Sequence, residues 1–151
     1  MSQSLSAVYI HLAYATKYRK PVLSDAFRPD LHAFKAGVLK STGCNVLIIN
    51  SVEDHIHLLF RMTKTKSLAY VIEHVKKRSS VWIKQTEDGP GNFSWQTGYG
   101  AFSVSASGLD AVTRYISKQK EHHLKMTFKE EMEWLFKKYG HTDYDPDRFW
   151  D

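Results

Sequence analysis

Residues 44–61 read Cys44-Asn45-Val46-Leu47-Ile48-Ile49-Asn50-Ser51-Val52-Glu53-Asp54-His55-Ile56-His57-Leu58-Leu59-Phe60-Arg61. Cys44 to Asn50 is β-branched and apolar, the composition of a strand. Asn50 to Asp54 is a short polar connection, and His55 to Arg61 returns as a second strand, so the pair reads as a hairpin. Side chains alternate faces along a strand. Ile56, Leu58 and Phe60 therefore point one way, toward a core, while His55, His57, Leu59 and Arg61 point the other. The histidine face reads as lying outside the core, so exchanging His57 for alanine is expected to cost little stability.

Working outward, the hairpin sits between two helical patterns. Before it, Ser24 can cap a helix in which Phe27, Leu31, Phe34, Val38 and Leu39 recur at helical spacing until Gly43 ends it. A first strand is predicted over Val8 to Thr16, with Val8, Ile10, Leu12 and Tyr14 on its core face. After the hairpin, Ser67 can cap a helix with Leu68, Val71, Ile72, Val75, Trp82 and Ile83 as its apolar stripe. Glu87 to Gly100 is rich in Gly, Asn and Pro and reads as a loop, and Ala101 to Ser105 as a last short strand. The order β-α-β-β-α-β is the split βαβ pattern of a ferredoxin-like α+β domain, an antiparallel sheet with helices on one face. A further helix is predicted over Leu109 to Lys125, with Asp110 in its first turn where the helix dipole favours an anion. Residues 1–125 form the expected domain, and 126–151 an extension packed on it, with one more helix over Phe128 to Tyr139.

The chain has 151 residues, of which 42% are apolar, with eight Tyr, eight Phe and four Trp. That length and composition suit one packed domain burying roughly two-thirds of its unfolded surface. Net charge is +5, yet residues 125–151 hold more acidic than basic side chains. A basic body with an acidic tail suits a polyanionic partner. Cys44 is the only cysteine, which excludes an intrachain disulfide and any multi-cysteine metal site. The apolar run Val8 to Ala15 is interrupted by His11 and too short to span a bilayer. With no signal peptide before it, the expectation is a cytoplasmic protein without a membrane partner.

Two imidazoles on one face of a strand are what a metal ion needs, although an isolated His-x-His also suits two ordinary boundary histidines. They would serve Zn, Ni, Cu, Fe or Mn, and a third ligand must come from elsewhere. Gln119 is the candidate. It lies four residues after Tyr115, so the phenol and the carboxamide share one helical sector with His122. His122 and His123 also suit the last turn of a helix as cations. A metal beside a tyrosine is equipment for breaking a phosphodiester through a phosphotyrosine. For holding phosphates, Lys76, Lys77 and Arg78 with Ser79 and Ser80 make one cluster. Lys17, Arg19 and Lys20 make a second, with Tyr18 interleaved as a stacking platform. Trp95, Tyr99 and Phe102 could stack bases too, but flanking a short strand they read as core.

Taken in order, these stretches resemble the single-tyrosine HUH transposases of the insertion-sequence 200/605 type, including the REP-associated tyrosine transposases. The matching segments are Thr16-Lys17-Tyr18-Arg19, Asp54-His55-Ile56-His57-Leu58-Leu59, and Ser67-Leu68 through Lys77-Arg78-Ser79-Ser80. Trp95-Gln96-Thr97-Gly98-Tyr99-Gly100 and Tyr115-Ile116-Ser117-Lys118-Gln119 to His122-His123 complete the series over residues 8–124. The resemblance implies that His55, His57 and Gln119 hold a magnesium or manganese ion and that Tyr115 is the nucleophile. It also implies single-stranded hairpin DNA as substrate and a homodimer. The alternatives are a non-catalytic hairpin-binding protein that kept the fold, and an HUH replication or relaxase nuclease. The chain departs from the minimal family core in its tail from Met126 onward.

Overall fold

The hairpin forms because its two runs can share one apolar face. In the computed structural model, which describes residues 2–150, Ile56, Leu58 and Phe60 are fully buried. The elements are β1 (Tyr9–Ala15), α1 (Arg28–Ser41), β2 (Asn45–Ser51), β3 (His55–Arg61), α2 (Leu68–Gln85) and β4 (Gly100–Val104). They are followed by α3 (Leu109–Ser117), α4 (Gln119–Lys125), α5 (Phe128–Lys138) and the short α6 (Pro146–Phe149). The sheet order is β2-β3-β1-β4, and every neighbouring pair is antiparallel. This is the ferredoxin-like arrangement expected from the element order.

One face of the sheet carries the main core. Ile10, Leu12 and Tyr14 of β1 and the three apolar residues of β3 pack against Leu31 and Val38 of α1 and Val71, Ile72 and Val75 of α2. Ser67 caps α2 by accepting a hydrogen bond from the Tyr70 backbone N–H at 3.0 Å. Lys35 of α1 is buried in this core, its Nζ bonded to the Tyr14 hydroxyl and 4.2 Å from the centre of the Trp95 ring. Burial drives its pKa well below that of an ordinary lysine.

The other face departs from expectation. It is a second core, not a polar surface. Leu59 packs with Val104 and Ile116, and Ala13, Ala15 and Phe102 pack under Phe128, Met132, Leu135 and Phe136 of α5. His55 and His57 are consequently 1% and 0% exposed. The extension covers the histidines because α5 has its own apolar stripe, at 128, 132, 135 and 136, which needs a surface to bury. Met132 Cε packs over Gly100, 2.3 Å from where a Cβ would stand.

Several boundaries also differ. Val8 is 49% exposed, because β1 begins one residue later and its inward alternation starts at Ile10. The first helix begins at Arg28, not after Ser24, since Pro29 fits the first turn, where no N–H is needed. It ends as expected, with Gly43 at φ 94 and backbone bonds from Gly43 to Lys40 and from Cys44 to Leu39. The helix predicted from 109 to 125 is broken at Lys118, whose φ and ψ of −102 and 22 leave the helical region. The last strand begins at Gly100.

Candidate active site

β3 brings His55 and His57 to the second face, and the α3–α4 pair brings Tyr115 and Gln119 over them. The break at Lys118 separates the two helices, and Gln119 opens α4 with its side chain buried. Its amide oxygen lies 2.9 Å from His55 Nε2, and its amide nitrogen donates to Glu131 Oε2 at 3.1 Å. His55 Nδ1 is 2.7 Å from Asp54 Oδ1. This contact orients the ring so that Nε2 faces the cluster. His57 Nδ1 faces His11 Nε2 at 2.8 Å, leaving its own Nε2 3.2 Å from Glu131 Oε1.

Glu131 is the residue that sequence reasoning missed. It sits on α5 and is 2% exposed. Its Oε2 accepts from the Tyr115 hydroxyl and from Gln119, and its Oε1 lies 3.5 Å from His55 Nε2. A signal for it exists. Phe128, Glu131, Met132 and Leu135 stand at i, i+3, i+4 and i+7, so a carboxylate interrupts an otherwise apolar stripe. Phe128 of the same helix stacks on His55, with ring centres 4.2 Å apart.

Electrostatics follow from burial. His11 is held down at about 3 and His57 is lowered, desolvation being the main cause for both, so both rings stay neutral near pH 7. Burial alone would raise Glu131, but its pairing with His57 and the hydrogen bonds from His57 and Tyr115 outweigh it and hold the carboxyl below the ordinary value, so it stays ionised. Tyr115 is pushed above an ordinary phenol, first by burial and then by Glu131. The Tyr115 phenol is therefore protonated near pH 7.

His55 Nε2 meets the Gln119 amide oxygen at 2.9 Å and Glu131 Oε1 at 3.5 Å, so atoms of the kind that ligate metals converge on one point. His55, His57 and Glu131 each offer a ligand atom within 4.8 Å of the others, and Asp54, His55 and His123 form a second such group. Imidazole nitrogen with carboxylate and amide oxygen suits a divalent ion such as manganese or magnesium.

The expected phosphate contacts divide. Lys17, Tyr18 and Lys20 are exposed directly after β1, whose Ala15 pairs with His55. Tyr18 and Arg19 take positive φ values of 58 and 54, and Arg19 lies 4.6 Å from the Trp150 ring centre. On α2, Lys77 and Arg78 are exposed, but they belong to the opposite side of the sheet from the histidines. Lys76 is instead bound to the carbonyls of Gln96, Thr97 and Gly98 at 2.5, 3.0 and 3.3 Å. Ser79 is buried, bonded to the Val75 carbonyl at 2.7 Å and to Trp95 Nε1 at 3.0 Å. Neither is free for phosphate as expected, because each already satisfies a packed neighbour. Ser80 is half-buried near the Phe93 carbonyl.

Comparison with known proteins gives the family and the fold. The family model described as "Transposase IS200 like" matches residues 4–119. Among curated proteins no relative matches. Among solved structures, a protein of Deinococcus radiodurans R1 assigned as a transposase aligns with a TM-score of 0.58 and 23% identity, covering 79% of this chain and 98% of its own. A REP-associated tyrosine transposase bound to a REP hairpin aligns with a TM-score of 0.61 and 13% identity, covering 82% of this chain and 74% of its own. At these identities the two structures speak for the fold.

Proposed function

Because the chain belongs to the IS200-like transposase family, we propose that it cleaves and rejoins single-stranded DNA at hairpin-bearing element ends, with Tyr115 as nucleophile. His55, His57 and Gln119 are the proposed ligands of a magnesium or manganese ion. The observation that carries this reading is the meeting, within one chain, of the Tyr115 phenol, two imidazole Nε2 atoms and the Gln119 amide around the buried Glu131 carboxylate. Hairpin DNA as substrate is supported by the REP hairpin bound to the structurally similar REP-associated transposase.

In the proposed step the Tyr115 Oη–phosphorus bond forms as the phosphorus–O3′ bond breaks. The phenolic proton leaves Oη and the 3′-oxygen departs as a hydroxyl, so protons balance. The 5′-phosphotyrosine conserves the bond energy, and rejoining by a 3′-hydroxyl needs no nucleotide cofactor. A bound divalent ion would withdraw charge from the scissile phosphate. Asp54 and His11 hold the two imidazoles in orientation, and Phe128 keeps water from the His55 ring. Lys17, Tyr18, Arg19, Lys77 and Arg78 are the proposed strand contacts. No helix among the described residues is long and apolar enough to cross a membrane, and the cytoplasm is the proposed compartment.

The test is incubation with single-stranded oligonucleotides from the genomic flanks, followed by denaturing electrophoresis for a covalent adduct. Tyr115→Phe should abolish the adduct while leaving hairpin binding within a few-fold. An undiminished adduct in that variant would assign the nucleophile elsewhere. A homodimer is the proposed assembly, and light scattering at the mass of one chain would remove it.

A further inference from the structure

We infer that Glu131 is a ligand of the metal, and that the ion thereby fastens the C-terminal extension to the catalytic sheet. This rests on the metal reading above and extends it to a residue outside the segment matched by the family. Three observations carry it. Glu131 is the one charged residue in the buried stripe of α5, and a carboxylate enters such a stripe only with a partner. Its two oxygens are divided in role: Oε2 takes the two hydrogen bonds from Tyr115 and Gln119, while Oε1 faces His57 Nε2 at 3.2 Å and His55 Nε2 at 3.5 Å. Finally, His55, His57 and Glu131 each offer a ligand atom within 4.8 Å of the others, and the Gln119 amide oxygen lies 2.9 Å from His55 Nε2, so one divalent ion could take all four.

The set is then two imidazoles, an amide oxygen and one anion. Ligand charge strongly tunes affinity for a hard divalent ion. A neutral replacement at 131 should therefore weaken binding even where its shape is kept. Because α5 carries the ligand, ion binding should also slow opening of that helix, since a ligand that binds only the closed form stabilises it.

The experiment is manganese titration by calorimetry or electron paramagnetic resonance of the whole chain, with no DNA present. Wild type, Glu131→Gln, Glu131→Ala and His57→Ala are compared, with thermal unfolding to verify that each folds. Glu131→Gln is expected to lose about tenfold or more in affinity. If it binds as tightly as wild type while His57→Ala does not, the Glu131 assignment is overturned and the metal reading stands. If wild type binds no manganese, both fall. Hydrogen exchange of wild type needs no variant: amides of 128–138 should gain protection on adding manganese. Unchanged exchange there with saturating ion would equally overturn the fastening.

Discussion

At the scale of single residues, His57 shows how burial changes what a substitution means. A metal ligand on an open face could be exchanged with little structural cost, but His57 is enclosed between His11 and Glu131. Removing its ring leaves both partners unsatisfied inside the protein. His57→Ala is expected to lower stability by about 1–3 kcal/mol even without metal. Arg61→Ala, at an exposed site on the same strand, should stay within about 0.5 kcal/mol. Urea unfolding of the two variants with a chelator present checks the contrast, and equal midpoints would mean the second face does not behave as core. Only part of the histidine pair's role was legible beforehand. The His-x-His spacing gave its direction, but its burial depends on side chains from α5, far along the chain.

At the scale of elements, the sheet was readable because alternation in 44–61 and helical periodicity on either side are local patterns. The interruption at Lys118 was not. Residues 109–125 contain no glycine or proline, so nothing local announces a bend, and tertiary contacts of Ile116 and Gln119 decide it. The basic cluster on α2 was read by composition, which cannot separate a free lysine from one already engaged. Lys76 holds three carbonyls of the 96–98 loop, whereas Lys77 and Arg78 are exposed. Lys76→Ala should therefore lower the unfolding midpoint, and Lys77→Ala with Arg78→Ala should leave it in place. If the exposed pair contacts the strand, the double variant makes the log–log salt dependence of single-strand binding shallower by about 1.4, at about 0.7 per phosphate contact. Fluorescence anisotropy across a salt series measures it, and an unchanged slope would remove that pair from the interface.

At the scale of the whole molecule, one buried and one half-buried histidine make folding sensitive to acid. His11 is held at about 3 and His32 at about 4, in both cases chiefly by burial, with Lys35 and Arg28 adding to the shift of His32. An unfolded chain protonates each near the ordinary value of 6.5, while the folded chain does not until the lower values are reached. The unfolded form thus binds more protons between them, and stability falls as pH drops below about 6.5. The His32 contribution is spent near 4 and that of His11 near 3. In His32→Asn the decline between pH 6.5 and 4 should be shallower than in wild type; parallel curves would contradict the burial of that ring.

The position of Glu131 along the chain has a further consequence, in time. It is separated from His57 by 74 residues. At roughly 5–20 residues per second, synthesis takes about 4–15 s to cross that interval. During those seconds the two imidazoles of the hairpin exist without the carboxylate and without the helix that buries them. On the proposed metal reading, an ion that favours bare imidazole nitrogen has first access, and one that needs an anionic oxygen must wait. On that reading the order of synthesis is also an order in which competing metals would meet the site.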